Sequence, residues 1–95
     1  MNILAGKFKG RNIKTSPKLP YRPTKSRVRK SIFDRLNPFS YDSVLDLFSG
    51  SGIFGFEAAS RGADAVTFVE RHETTFSLIK ENAKVLSGPN YYFYK

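Results

Sequence analysis

An apolar run that ends in an acid and then in two alternate glycines is the stretch of this chain most able to do chemistry: Val44-Leu45-Asp46-Leu47-Phe48-Ser49-Gly50-Ser51-Gly52. It reads as a buried strand, a tight turn and the start of a helix, the arrangement that holds a nucleotide-type cofactor. A second apolar run, Ala65-Val66-Thr67-Phe68-Val69, ends in a second acid, Glu70. Gly50-Ser51-Gly52-Ile53-Phe54-Gly55 matches G-x-G-x-x-G in full, and Glu70 follows Gly50 by twenty residues. That is where a dinucleotide fold places its ribose-binding acid.

Asp46 separates the two cofactor classes that this spacing allows. An ionised carboxylate beside a pyrophosphate would repel it by about 4 kcal/mol at ~4 Å and an effective dielectric of ~20. An α-ammonium group in the same place would be attracted by a similar amount. S-adenosylmethionine carries that ammonium, and its carboxylate can meet the free N–H groups of the helix that begins near Gly52. Gly50 and Gly52 allow close backbone approach, and Glu70 accepts hydrogen bonds from the ribose. A small domain binding a nicotinamide dinucleotide is the rival reading.

The elements that must position these residues follow from periodicity. Strand–helix–strand–helix is expected over Val44–Phe48, Ile53–Arg61, Ala65–Glu70 and Thr74–Leu86, with Gly62 as a left-handed helix cap. Phe76, Ile79, Ala83 and Leu86 share one helical face. After a turn at Ser87–Asn90, Tyr91-Tyr92-Phe93-Tyr94 begins a third strand, its aromatic run expected to serve the core. Strands alternating with helices of this length argue for right-handed βαβ units and a parallel sheet. Ahead of them, residues 3–15 suggest a β-hairpin turning at Lys9-Gly10, and three prolines make 16–23 an extended linker. Thr24 or Ser26 can cap a helix to about Leu36, ended by Asn37-Pro38. Its expected apolar face is Val28, Ile32, Phe33 and Leu36.

The formal net charge of +8 is unevenly placed. Residues 1–35 hold eleven Lys or Arg and one acid, whereas residues 36–95 hold five bases and seven acids. The first segment therefore suits a polyanion such as nucleic acid, and the second a different task. Two regions result: 1–37, a basic RNA-binding hairpin and helix, and 38–95, the first half of a cofactor-binding domain. With 95 residues the core is thin. The absence of cysteine excludes disulfides, zinc–thiolate sites and thiol catalysis. No apolar run approaches the ~18 residues of a membrane span, and the N-terminus does not resemble a signal peptide, so a cytoplasmic location is expected.

Four stretches together resemble the N-terminal half of the bacterial 16S rRNA guanine-N2 methyltransferases of the RsmD type. They are Ile3-Leu4-Ala5-Gly6-Lys7-Phe8-Lys9-Gly10-Arg11; Arg22-Pro23-Thr24 with Arg27-Val28-Arg29 and Ser31-Ile32-Phe33; the Asp46–Gly52 loop; and Phe68-Val69-Glu70. The opening and Arg-Pro-Thr are the more specific, since many methyltransferases share the glycine loop. The resemblance implies a Rossmann-like α/β fold, truncated here after about three parallel strands. It also implies methyl transfer from S-adenosylmethionine to the exocyclic N2 of one guanine in small-subunit ribosomal RNA, with 16S rRNA or a small-subunit assembly intermediate as partner. Expected cofactor-binding residues are Arg22, Thr24, Asp46, Phe48, Ser49, Gly50, Gly52, Glu70 and Arg71. Expected RNA contacts are Lys7, Lys9, Arg11, Arg22, Arg27, Arg29 and Lys30.

The chain departs from that family in length, at roughly half. It lacks the Asp/Asn-Pro-Pro-aromatic motif that would orient the target amine and stack on a flipped base. No catalytic residue is therefore named. In a doubly wound sheet the first strand is central, so here one edge of it would lie bare and invite self-association. A truncated or fragmentary chain, marginally stable or oligomeric, is the expectation. A non-catalytic RNA-binding fragment is the alternative function. Glu57 is expected as a surface or capping acid that could approach the methionine end, and His72, the only histidine, as a solvated helix-start residue. No cluster suggests a metal.

Overall fold

The computed structural model describes residues 1–15, 26–47 and 49–95. The elements are α1 (Ser26–Arg35), β1 (Ser43–Leu47), α2 (Ile53–Ser60), β2 (Ala65–Val69), α3 (Glu73–Val85) and β3 (Asn90–Tyr94). The strands form one parallel sheet in the order β1-β2-β3. The expected strand–helix alternation is present, with ends shifted by a residue or so. The linker at 16–23 and the cap at Thr24 lie outside the described residues.

Pairing brings Asp46, Phe68 and Phe93 into one row and Leu47, Val69 and Tyr94 into the next. Side chains alternate between faces along each strand, so Val66, Phe68, Tyr91 and Phe93 project together toward the helices. Phe68 packs against Phe56 of α2 at 4.8 Å between ring centroids, and Phe93 meets Phe76 of α3. The third-strand aromatics divide: Tyr91 and Phe93 are half-buried, whereas Tyr92 and Tyr94 point to the bare face.

Helix α2 is apolar almost all round, as a buried helix must be. Gly55 lets it lie against β2; a Cβ there would meet the Phe68 ring at 2.3 Å. The helix ends where Gly62 turns left-handed (φ 124°). Gly62 N–H then donates to Ala59 C=O and Ala63 N–H to Ala58 C=O, the two bonds of a Schellman cap. In α3, Phe76, Ile79 and Ala83 face inward as the periodicity requires, and Leu86 just beyond its end is buried with them.

The expected hairpin is present but short. Its arms meet in one antiparallel bridge, Asn2 with Asn12, flanked by Ile3 N–H to Arg11 C=O and Ile13 N–H to Met1 C=O. Other backbone donors of the segment go to the helices. Leu4 and Ala5 N–H go to the Glu57 carboxylate, Lys7 N–H to Ser60 C=O, Phe8 N–H to Ser60 Oγ and Lys14 N–H to Asn82 Oδ1. Ile3, Phe8 and Ile13 are buried in the same core as α2 and α3.

The expected face of helix α1 needs correction. Phe33 is buried as expected, at 4% exposed, but Arg29 joins it at 1%, whereas Val28, Ile32 and Leu36 remain 37–47% exposed. The cause is Glu57, fully buried in the middle of α2. Its Oε2 accepts the Arg61 Nε–H at 2.9 Å, and Arg29 Nε lies 3.4 Å from its Oε1. Arg29 reaches Asn2 C=O with its Nη2. A buried carboxylate without a cation is strongly unfavourable, so the ion pair fixes which side of α1 turns inward. Glu57 is thus a structural centre, neither a surface acid nor a cofactor neighbour.

Glu57→Ala should leave Arg29 and two N-terminal amides unpaired. We expect it to destabilise the fold by about 3–5 kcal/mol, measured by urea unfolding at neutral pH. An unchanged midpoint would refute the central role of this carboxylate.

Candidate cofactor site

The turn between β1 and α2 uses both glycines for their conformational freedom. Gly50 has φ 58° and Gly52 φ 84°. A Cβ on Gly52 would also meet the Phe56 ring at 2.8 Å. Gly52 N–H closes the turn on Ser49 C=O at 2.9 Å. Ser49 fastens the turn to the neighbouring strand: its Oγ donates to Asp46 C=O at 2.6 Å and accepts Val69 N–H at 3.1 Å, while its N–H donates to Val69 C=O.

Glu70 bridges the two strand ends. Its Oε1 accepts Gly50 N–H at 3.0 Å and its Oε2 accepts His72 N–H at 2.9 Å. Each carboxylate oxygen has a second lone-pair direction, so Glu70 is oriented by the backbone and can still accept from a ligand. His72 caps α3 and is exposed, with Nδ1 3.2 Å from Thr75 Oγ1.

Asp46 is the electrostatically unusual group. Burial pushes its carboxyl up to about 7, the Gly55 N–H bond to its Oδ2 opposes that rise, and the negative charge of Glu70 adds to it. No cation is paired with it among the described residues. The first-turn amides of α2 lie close by, and such donors lack acceptors within their own helix. A half-buried acid with a raised pKa, helix-start donors and a second, oriented acid are chemically suited to a ligand carrying a cation, an anion and hydroxyls.

The structure therefore brings Asp46, Ser49, Gly50, Gly52 and Glu70 together at the C-terminal ends of β1 and β2. Arg71 is exposed beside them. Phe48, Arg22 and Thr24 lie outside the described residues. Lys7, Lys9, Arg11, Arg27 and Lys30 are exposed, as an RNA-contacting role requires. Arg29 is not: its guanidinium is buried against Glu57, so its expected role on RNA is withdrawn. Sequence reasoning missed the fastening roles of Glu57 and Ser60. The available signal was an acid and a serine inside an otherwise apolar helix. Among the described residues no group of three His or carboxylate side chains could hold a metal, and no helix is long and apolar enough to cross a membrane.

The ionised form of Asp46 opposes folding. Its pKa rises from 3.8 to about 7, so the penalty is absent below pH 4, grows between pH 4 and 7, and is complete above 7. Asp46→Asn should therefore stabilise the ligand-free chain at pH 8, by at most roughly 4 kcal/mol, and change little near pH 4. Urea unfolding at the two pH values checks this; equal effects at both would remove the buried-charge account.

Comparison with known proteins places the chain in a family. The profile described as Conserved hypothetical protein 95 matches residues 1–93. The chain is 40% identical over 87 residues to the ribosomal RNA small subunit methyltransferase D of Haemophilus influenzae, covering 90% of this chain and 45% of that protein. To the protein of the same description from Escherichia coli it is 34% identical, covering 95% and 46%. Among solved structures, the yhhF protein of Escherichia coli superposes with a TM-score of 0.84 at 32% identity, over 99% of this chain and 51% of that one. A hypothetical protein of Thermus thermophilus gives 0.84 at 35% identity, over 99% and 54%. The chain thus spans about half the length of the curated relatives it matches, and it has a truncated form of their Rossmann-like fold. It belongs to the Conserved hypothetical protein 95 family, with the small-subunit rRNA methyltransferases D among its relatives.

Proposed function

Proceeding from that membership, we propose that this chain is the cofactor-binding half of an S-adenosylmethionine-dependent rRNA methyltransferase. The complete enzyme would methylate the exocyclic N2 of a guanine in small-subunit ribosomal RNA, free or within an assembly intermediate. The observation that carries this reading is Asp46, a half-buried carboxylate with no cationic partner among the described residues, beside a glycine turn.

Asp46 would pair with the α-ammonium of the methionine moiety, and the first-turn amides of α2 would take its carboxylate. Glu70, oriented by Gly50 and His72 N–H, would accept from both ribose hydroxyls. Ser49, Gly50 and Gly52 would form the floor, with Arg71 at the rim, Arg22 and Thr24 near the methionine end, and Phe48 among the cofactor contacts. When bound, S-adenosylmethionine supplies an electrophilic methyl group on its sulfonium sulfur. This chain holds no Asp/Asn-Pro-Pro-aromatic motif, so its own residues bind and orient the cofactor and leave positioning of the target amine to the other half. Lys7, Lys9, Arg11, Arg27 and Lys30 would contact RNA phosphates, which fix register without reading sequence.

Cofactor affinity reports on Asp46. Because the ammonium needs the ionised carboxylate, S-adenosylhomocysteine should bind with constant affinity above pH ~7 and lose about tenfold per pH unit below it. Asp46→Asn should weaken binding at pH 8 by tenfold or more, a loss of about 1.4 kcal/mol, and flatten the pH profile. Calorimetric titration tests both; NADH binding that improves on Asp46→Asn would select the dinucleotide reading instead.

RNA affinity reports on the basic segment. Binding of a small-subunit rRNA fragment should fall steeply with salt. Lys9→Glu should weaken it severalfold without changing S-adenosylhomocysteine affinity, as read by fluorescence anisotropy. Salt-independent binding would reject the phosphate-contact role.

A further inference from the structure

The turn between β1 and α2 carries two glycines in the left-handed region, Gly50 and Gly52, and glycine loses more conformational freedom on folding than any other residue. Such a turn keeps one shape only if neighbouring groups hold it. No side chain caps the N-terminus of α2. One holding point is Ser49, bonded to Val69 of β2. The second is Ser51, the residue between the glycines.

Ser51 is 2% exposed. Among the described residues its hydroxyl donates to the Met1 thioether, with Sδ 3.4 Å away. A thioether is a weak acceptor, so the sulfur itself holds Ser51 only lightly. The larger contribution is the flexible Met1 side chain, which suits an irregular gap and packs against the core.

Met1 is itself fixed from two directions. Its C=O accepts Ile13 N–H at 2.7 Å, and the C=O of Asn2 accepts from Arg29 Nη2. Arg29 is the side chain that Glu57 draws inward. The first segment then runs the length of α2. Met1 meets Ser51 just ahead of the helix, Leu4 and Ala5 meet Glu57 at its middle, and Lys7 and Phe8 meet Ser60 at its end. One stretch of chain thus joins the glycine turn to the tip that carries Lys7, Lys9 and Arg11.

We propose that Met1 is a positioning residue of the cofactor turn: its side chain fills the space behind Ser51 and so holds the Gly50–Gly52 backbone in the shape that receives the cofactor. Without that support the turn must be ordered at the moment of binding, which lowers affinity. The segment that offers its cations to RNA therefore also sets the turn from behind. The proposal rests on the S-adenosylmethionine reading of the turn.

The test uses the whole chain. Met1→Ala and Met1→Leu are produced behind a leader that is cleaved before residue 1. Ile79→Val, buried in α3, serves as the control for lost stability. S-adenosylhomocysteine should bind Met1→Ala about tenfold more weakly, and Met1→Leu, which keeps the volume, within about twofold of the unaltered chain. Ile79→Val should lower the urea midpoint and leave that affinity unchanged. Met1 is the only methionine of the chain, so a carbon-13 label on methionine methyl gives a single NMR signal. That signal should shift in step with the Gly50 and Glu70 amides as S-adenosylhomocysteine is added. Met1→Ala binding as tightly as the unaltered chain overturns the proposal. So does a loss matched by Ile79→Val, a failure of Met1→Leu to restore binding, or a methyl signal that stays in place while the Gly50 and Glu70 amides move. If those amides stay in place as well, the cofactor reading falls and this proposal falls with it.

Discussion

The Glu57 carboxylate is the constraint on which the arrangement of this chain depends. It is fully buried, yet its two oxygens meet backbone amides of Leu4 and Ala5, the Arg61 guanidinium and the Arg29 side chain. Three separate pieces of chain, the N-terminal segment, α1 and α2, are therefore tied at one point. Arg61 extends the tie by lying over the Phe33 ring at 4.7 Å. Apolar burial alone would turn Val28, Ile32 and Leu36 inward. The desolvation penalty of an unpaired carboxylate is several kcal/mol, more than the burial of any one of those side chains contributes, and the helix turns Arg29 inward instead.

A second carboxylate in the same domain shows the opposite condition. Asp46 is largely removed from water and receives one backbone N–H, from Gly55, with no paired cation among the described residues. Glu57 is satisfied by its own fold and serves it. Asp46 is left wanting a positive partner and burdens the fold. Groups held in that condition mark binding sites more often than structural ones, and the nearby Glu70 is instead anchored by two amides while keeping acceptor capacity outward. The contrast between the three acids separates the one that holds this chain together from the two that keep capacity for a further partner.

The same contrast explains what was legible in the sequence. The Asp46–Gly52 loop, Glu70 and the strands and helices around them follow from contiguous patterns, since a glycine turn, a period of two and a period of 3.6 are local signals. The buried face of α3 was readable for that reason. The orientation of α1 was not, because it is set by Arg29 meeting Glu57, twenty-eight residues away. The shortness of the hairpin has a similar cause. Ile3 and Ile13 bond across it to Arg11 and Met1, but the amides of Leu4, Phe8 and Lys14 are claimed by Glu57, Ser60 and Asn82, partners that no window on the first fifteen residues contains. Position-by-position charge reading also could not see that Arg29 is withdrawn from the surface, where a non-local acid takes its charge.

The placement of the remaining bases constrains how RNA could approach. Lys7 N–H bonds the carbonyl of Ser60, the last residue of α2, and Arg11 reaches Val85, the last of α3. The glycine turn lies at the first residue of α2. An eight-residue helix is about 12 Å long, so the basic tip and the cofactor turn occupy opposite ends of the helical layer. The tip cannot be a wall of the cofactor site. Its backbone is anchored, since Phe8 is buried and a Cβ on Gly6 would collide with Ser60 C=O. An RNA held at the tip would have to run the length of α2 before presenting a base near Asp46 and Glu70. Recognition would then depend on the spacing between two points along the RNA, with the distal one sequence-independent, and the reacting base would be chosen at the cofactor end.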